Sequence, residues 1–194
     1  MADSIDLRCN WCQGSELYKH YHDTEWGRPC KDSVALFEMI NLEGAQAGLS
    51  WITILNKREG YRKLFANFAP EKVARFSDEK LLALSRNPAI VRHRQKVAAA
   101  RTNARAWLAI EESGQSFSDF IWKYVDHQSI DNSFVSLEQI PASTPVSTEM
   151  SKELKKAGFA FVGPTTCYAF MQAAGLVNDH LVSCPSHDVL ESSS

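Results

Sequence analysis

The chain has 194 residues, 44% hydrophobic and 23% charged, which is enough to bury a substantial core, and we expect one compact domain of two apposed lobes over residues 1–187. The formal net charge of −2 excludes a broadly basic nucleic-acid binder, so any contact with DNA must come from a local patch. The sequence contains no signal-peptide-like or membrane-length apolar run, so we expect a cytoplasmic protein without membrane contact.

Aromatic rings and metal-ligand residue types are concentrated in residues 8–27, RCNWCQGSELYKHYHDTEWG. A short helix over about 16–22 would place Tyr18 and Tyr21 on nearly the same face. The chain has five cysteines and no export signal, which favours metal binding or simple burial over a disulfide framework.

A carboxylate stands among small and apolar residues in residues 41–51, NLEGAQAGLSW. Capping residues at 31–33 predict a helix that leads into this segment. If the helix continues, Glu43, Ala47 and Trp51 fall on one side, and an anion and an indole share one pocket. The alternative is a core helix whose glutamate pairs with an arginine, and this stretch alone favours that alternative.

Helical patterns continue through the middle of the chain. Apolar and basic residues keep helical spacing over residues 51–68, and new helix starts are predicted at Pro70 and at residues 77–78. The longest predicted helix covers residues 92–113, with Gly114 as its stop. Strand signals are scarce, so the sequence predicts an all-α fold.

Two other segments are interpreted as irregular. Residues 134–145 contain serine, threonine and proline, and we interpret them as a connection between helices. Residues 188–194 end in three serines and are predicted to form a disordered tail.

Residues 151–175, SKELKKAGFAFVGPTTCYAFMQAAG, resemble a helix-hairpin-helix motif. One predicted helix ends at 157–158, and a second begins at Thr165 and Thr166 after a tight turn that contains Gly163. Such a turn presents backbone N–H groups to a DNA phosphate, so we expect these three residues to contact DNA. The alternative is that the Val-Gly-Pro sequence only separates two helices.

The motif carries no lyase nucleophile. Helix-hairpin-helix glycosylases and lyases often place a lysine at the start of the second helix and many place an aspartate after it. Thr165 occupies the lysine position here, so a Schiff-base mechanism lacks its nucleophile. Asp179 lies near the aspartate position but out of register, and we assign it no catalytic role.

Histidine and cysteine are spaced as metal ligands at both ends of the chain. His180 and Cys184 are four residues apart, and Cys9 and His22 form a second pair. A Cys2His2 set suits a tetrahedral structural Zn²⁺, which would tie the two ends together. Three other residues compete on spacing alone, with a Cys9-x-x-Cys12 pair as the main rival: Cys12, His20 and His187.

Several motifs together resemble the 3-methyladenine DNA glycosylase I family: YHDTEWG (21–27), LEGAQAGLSWITIL (42–55), GFAFVGPTTCYAFMQAAGLVNDH (158–180) and the cysteine–histidine set. The similarity extends over about residues 9–184. It implies a helix-hairpin-helix glycosylase fold whose terminal segments are tied by a structural zinc bound to Cys9, His22, His180 and Cys184. It also implies a base pocket lined by Glu43, Tyr18, Tyr21 and Trp51, with Trp11, Trp26 and Gln46 nearby.

The implied substrate agrees with these residue types. An N3-methylated adenine is a cation, which a buried carboxylate and aromatic faces attract, whereas neutral adenine would leave Glu43 desolvated and poorly paired. The damaged nucleotide must be flipped out of double-stranded DNA, and Leu49 is the expected wedge. Because the positive base is a good leaving group, we expect monofunctional hydrolysis by a monomer, with Glu43 as the catalytic residue.

Some alternatives stay open from sequence. Glu43 binds the base, stabilises positive charge on the sugar, or does both, and activity on 3-methylguanine is undetermined. A zinc-stabilised damage sensor without catalysis would not need Glu43. A bifunctional glycosylase/lyase would need a nucleophile, against which Thr165 argues.

Overall fold

The computed structural model describes the backbone of residues 6–191 and the side chains of residues 6–188. Helices dominate this part of the chain, so the predicted helical class is confirmed. The helices are α1 (Glu16–Thr24), α2 (Ser33–Gln46), α3 (Trp51–Leu55), α4 (Arg58–Leu64), α5 (Pro70–Val73), α6 (Asp78–Leu84), α7 (Arg94–Glu112), α8 (Phe117–Trp122), α9 (Pro145–Lys156), α10 (Pro164–Ala173) and α11 (Pro185–Glu191). The strands β1 (Ile130–Asp131) and β2 (Val177–Asn178) form a short parallel pair.

Helix α2 is the central element of the core. Asp32 caps it by accepting a 2.7 Å hydrogen bond from the Ala35 N–H. Its fully buried Leu36, Phe37 and Ile40 lie in the main hydrophobic cluster, and the helix packs against α3, α7, α8 and α10. The segment that carries Glu43 is therefore held rigidly by several neighbours.

The prediction that one continuous helix carries both Glu43 and Trp51 is wrong. Helix α2 ends at Gln46, Gly48 has a φ of +81°, and Trp51 begins α3. A left-handed backbone at this position favours glycine, which has no Cβ to clash. The chain therefore turns between the two residues, and the helical spacing that was predicted to align them does not exist.

Helix α7 covers most of its predicted range. It begins at Arg94 because His93 acts as its N-cap and accepts from the Lys96 N–H at 3.3 Å. The Lys96 ammonium donates to the carbonyls of Ala45 and Ala47 at 2.9 and 2.5 Å, so it closes the C-terminal end of α2. The predicted helical run over 51–68 is instead divided into α3, α4 and a 3₁₀ turn.

Helices α9 and α10 pack against each other and are joined by a tight turn. Gly158 and Phe161 both have positive φ values, +102° and +59°. The Ser151 hydroxyl donates to the Val162 carbonyl at 2.6 Å and fixes the turn against α9. After α10 the chain passes through β2 and reaches His180.

The C-terminal segment forms helix α11, whose last residues are 188–191. The predicted disordered tail, 188–194, thus begins in this helix, and residues 192–194 lie outside the described part of the chain. Between residues 6 and 191, no helix has both the length and the apolar character needed to cross a membrane.

Candidate functional site

A cavity of about 310 Å³ opens between α1, α2, α3 and α10. Its walls include every residue that the sequence predicted for the base pocket, together with four that it did not. The lining residues are Trp11, Tyr18, Tyr21, Trp26, Glu43, Gln46, Trp51, Leu137, Ile140, Ala169 and Gln172.

Aromatic rings form most of this wall. The Tyr21 and Trp51 rings are 5.5 Å apart between centroids, and Trp11 packs against Tyr18 at 5.0 Å and Trp26 at 4.9 Å. Burial raises the pKa of Tyr18 to about 12 and also raises the pKa of Tyr21, so both hydroxyls stay protonated near neutral pH. The cavity therefore offers flat ring faces and hydroxyl donors to a planar ligand.

Glu43 is the acidic residue of the cavity, and it lacks a partner. Its side chain is buried, at 5% exposure, and no hydrogen bond or ion pair joins its carboxyl group to any residue between 6 and 188. Burial raises the pKa of Glu43 to about 8. The Trp51 Nε1 donor on the same wall is also buried without a partner among these residues. The cavity thus contains an unpaired acceptor and an unpaired donor, which makes it the candidate ligand site.

Four lining residues were missed by sequence reasoning. Leu137 and Ile140 belong to the segment that was interpreted as a connection, where a 3₁₀ turn, capped by Ser136 and Gln139, brings them to the cavity. Their spacing gives no helical or strand period, so no sequence signal identified them. Ala169 and Gln172 lie one turn apart on α10, and that spacing was available in the sequence.

A second polar cluster lies directly behind the aromatic wall. Cys9, His22, His180 and Cys184 are all buried, and one ligand atom of each lies within 4.8 Å of the others. The His22 Nε2 to Cys184 Sγ distance is 3.5 Å, and His180 Nδ1 lies 3.8 and 3.9 Å from the Sγ atoms of Cys184 and Cys9. Ligands at about 2.0–2.3 Å from one tetrahedral ion lie about 3.3–3.8 Å apart, so a buried donor set this compact can hold a metal ion.

The second nitrogen of each histidine has its own partner. His22 Nδ1 lies 2.8 Å from Asp23 Oδ1, and His180 Nε2 lies 3.1 Å from the Trp26 carbonyl oxygen. Asp23 is in turn held by the Arg8 guanidinium at 2.9 Å. Such outer contacts orient the ligand nitrogen toward a metal, and the sequence did not identify Asp23 or Arg8 as part of this arrangement.

The competing metal ligands lie outside this cluster. The Cys12 thiol donates to the Cys9 carbonyl at 3.1 Å instead of facing the four ligand atoms. His20 is exposed, and His187 lies 3.2 Å from Asp131. The structure therefore brings together Cys9 and not Cys12 with the other three residues.

The predicted DNA-contacting residues lie on the surface. Leu49 is 42% exposed, in the turn between α2 and α3. Gly163 is the N-cap of α10 and supplies no capping side chain, and Thr165 and Thr166 occupy the first turn of that helix. A Cβ atom at Gly163 would meet nothing within 4 Å, so the space in front of this helix end is open.

Asp179 is buried and fully engaged with neighbouring side chains. Its carboxylate accepts from Asn132 Nδ2 at 2.7 Å, from the Tyr168 hydroxyl at 2.7 Å and from Gln172 Nε2 at 2.8 Å. Asp179 does not line the cavity, although Gln172 does.

The structure thus combines a helical fold, an aromatic cavity with a buried carboxyl group, and a Cys2His2 cluster beside that cavity. Residues 11–187 match the model of the methyladenine glycosylase family, and the chain belongs to that family.

Known relatives narrow the assignment. DNA-3-methyladenine glycosylase 1 of Escherichia coli (strain K12) is 54% identical over 177 residues, which are 91% of this chain and 95% of that protein. A crystal structure of 3-methyladenine DNA glycosylase I is 54% identical with a TM-score of 0.92, covering 93% of this chain and 99% of that one. A variant of 3-methyladenine DNA glycosylase I in complex with 3-methyladenine is 41% identical with a TM-score of 0.89, covering 92% and 98%. The predicted family and enzyme class, a DNA-3-methyladenine glycosylase, are confirmed.

Proposed function

We propose that this enzyme excises 3-methyladenine from alkylated double-stranded DNA and hydrolyses the N-glycosidic bond without a lyase step. The observation that carries this proposal is the buried, unpartnered Glu43 carboxyl group between aromatic faces. The name of the Escherichia coli relative and the complex of a related enzyme with 3-methyladenine support the same substrate.

Charge provides selectivity for the damaged base. With a pKa of about 8, Glu43 is mostly protonated in the free enzyme at neutral pH. A cationic methylated base stabilises the ionised carboxylate through direct attraction in a poorly solvated cavity, and the Tyr21 and Trp51 rings add cation–π contact. Neutral adenine offers no such compensation, which costs about 1–3 kcal/mol for a buried group left without a partner.

The chemistry needs little more than this electrostatic environment. The bond between the sugar C1′ and the base nitrogen breaks with its electron pair leaving on the base, which departs as neutral 3-methyladenine. Water then adds to the oxocarbenium-like sugar at C1′ and loses a proton, while the Glu43 carboxylate stabilises the positive charge. Among the residues that the structure describes, no lysine lines the cavity, and Thr165 stands where a lyase would carry its nucleophile, which supports a monofunctional reaction.

Duplex DNA is proposed to contact the α9–α10 turn as a helix-hairpin-helix motif. Helix α10 has no side-chain cap, so first-turn N–H groups at Thr165 and Thr166 are free to bind a phosphate in front of Gly163. Exposed Leu49, adjoining the cavity-lining Gln46 and Trp51, is proposed to fill the space left by the flipped nucleotide.

A structural zinc is proposed at Cys9, His22, His180 and Cys184, where it would join the N-terminal segment to the C-terminal one. The ion would stabilise the wall that carries Trp11 and Trp26 and would take no part in the reaction. We further propose that residues 1–187 form one catalytic domain of two apposed lobes that acts as a monomer in the cytoplasm.

Base release from methylated DNA tests the proposal. DNA treated with a simple methylating agent is incubated with enzyme, and the freed bases are separated and identified. Selective release of 3-methyladenine by the wild type, and loss of release in Glu43→Gln, are expected. Absence of release by folded, metal-loaded enzyme would contradict the proposal. Covalent trapping on DNA by borohydride would contradict the monofunctional step.

A further inference from the structure

Asp179 is a buried carboxylate that has no role in the proposed reaction. It is only 1% exposed, and three side chains donate hydrogen bonds to it from α10 and from the segment after β1. A buried carboxylate with this number of donors acts as a fixed acceptor. One of the three donors, Gln172, also lines the cavity that contains Glu43.

The bond to Asp179 determines which way the Gln172 amide points. A carboxylate accepts and does not donate, so the amide must turn its NH₂ group toward Asp179, at 2.8 Å. Its carbonyl oxygen, Oε1, then receives no hydrogen bond from residues 6–188. This oxygen is also not one of the fully buried side-chain atoms that lack a partner. Oε1 is therefore an acceptor that Gln172 can present to a bound base, beside the one amide hydrogen that Asp179 does not use.

We propose that Gln172 is a specificity-determining residue that reads the base as adenine, and that Asp179 is the residue that positions it. This inference rests on the proposed base excision and names a second polar contact within the same cavity. Gln172 lies on α10, whereas Glu43 lies on α2, so the two acceptors approach the ligand from different elements.

The chemistry of the base edge gives this contact its meaning. Adenine carries an exocyclic amine at C6 with two N–H donors, whereas guanine carries a carbonyl oxygen there. Two acceptors in the cavity can pair with the two N–H donors of 3-methyladenine. The C6 oxygen of 3-methylguanine would face an acceptor and leave both groups without a partner.

The ratio of two released bases tests this assignment. Methylated DNA containing both 3-methyladenine and 3-methylguanine is incubated with excess enzyme, and both release rates are measured in the same sample. Because the ratio comes from one reaction, it does not depend on the fraction of enzyme that is folded. In Gln172→Met, which keeps the length but removes the acceptor, we expect the adenine-to-guanine ratio to fall about tenfold.

Substitution of Asp179 should change the ratio of released bases by changing the orientation of the Gln172 amide. In Asp179→Asn the new side chain can donate to Gln172, so the Gln172 amide can turn its NH₂ group toward the cavity, and the ratio should fall as in Gln172→Met. Tyr168→Phe is the matched control, because it removes another donor to Asp179 but keeps the Gln172 bond. Its ratio should stay within twofold of wild type.

An unchanged ratio in Gln172→Met would overturn the inference, as would an equal fall in Tyr168→Phe, which would indicate general disturbance of packing. Failure of the wild type to release 3-methyladenine would instead contradict the proposed function itself.

Discussion

The base cavity and the cysteine–histidine cluster lie on opposite sides of the same aromatic wall, and they differ in how their polar groups are satisfied. Trp11 and Trp26 line the cavity, and they also pack against His22 and His180 of the cluster, at 5.2 and 4.7 Å between ring centroids. In the cluster, each histidine uses one nitrogen toward the cysteines and the other toward a protein acceptor.

In the cavity, by contrast, the Glu43 carboxyl and the Trp51 Nε1 atom have no partner among the described residues. A buried polar group without a partner destabilises the fold, so it persists where a ligand completes it. The proposed metal would complete the cluster and serve stability. The proposed substrate would complete the cavity, whose unpaired groups serve function at some expense of stability.

The largest expected effect is on catalysis at Glu43. Glu43→Gln should lower the rate of 3-methyladenine release about 10²- to 10³-fold, because the neutral amide cannot attract a cation or stabilise positive charge on the sugar. Single-turnover base release measures this, with circular dichroism to verify the fold. Glu38→Gln is the control, since Glu38 forms an ion pair with Arg62 and does not line the base cavity. Equal losses in both variants would remove Glu43 from the reaction.

The second effect concerns the cluster. Cys184→Ser should lose most of its bound zinc and lower the Tm by roughly 10 °C, with a smaller change in the rate of the chemical step at low temperature. Metal analysis and thermal unfolding measure these quantities. Cys12→Ser is a matched control, because the Cys12 thiol bonds only to the Cys9 carbonyl, and that variant should keep its metal. Full zinc content in Cys184→Ser would contradict the proposed ligand set.

The third effect is the pH dependence of stability that Glu43 contributes. Burial raises the pKa of Glu43 from 4.5 to about 8. Between these two pH values, the Glu43 carboxyl group keeps its proton in the folded protein and loses it in the unfolded chain. The stability from this proton is complete below pH 4.5 and is lost as the pH rises toward 8. As the pH rises from 4.5 to 8, the free energy of unfolding of Glu43→Gln should increase by about 2–4 kcal/mol relative to that of the wild type. Urea unfolding of both proteins at several pH values measures this difference in the free energy of unfolding. A difference that is the same at every pH would show that Glu43 keeps an ordinary pKa.

The smallest expected effect is on DNA affinity at the α9–α10 turn. Gly163 has a φ of −66°, and a Cβ there meets nothing within 4 Å, so larger residues fit without strain. Gly163→Val should weaken binding to duplex DNA about tenfold by blocking a phosphate, and Gly163→Ala should do so less. Binding of free 3-methyladenine, followed by tryptophan fluorescence, should not change. Unaltered duplex affinity in both variants would exclude the turn from the interface.

The sequence alone determined the helical class, the family, the four residues of the cluster and seven of the eleven residues that line the cavity. These follow from local signals: capping residues such as Asp32, helical spacing around Leu36 and Ile40, and the motifs that contain Glu43 and Gly163. The net charge of −2 limits how the protein can contact DNA, because a chain with this charge can do so only through a local surface.

Only the tertiary structure decided how these residues meet. The helical alignment of Glu43 with Trp51 was wrong because α2 ends at Gln46 and the chain turns at Gly48, yet both residues still line the same cavity. Leu137 and Ile140 reach that wall through packing between distant segments, which no local period records. The unpaired state of Glu43 and the meeting of Cys9 with His180 and Cys184 depend on contacts between segments that are distant in the sequence. The bond between Gln172 and Asp179 depends on how the chain turns after α10, and all of these contacts exist only after the chain has folded.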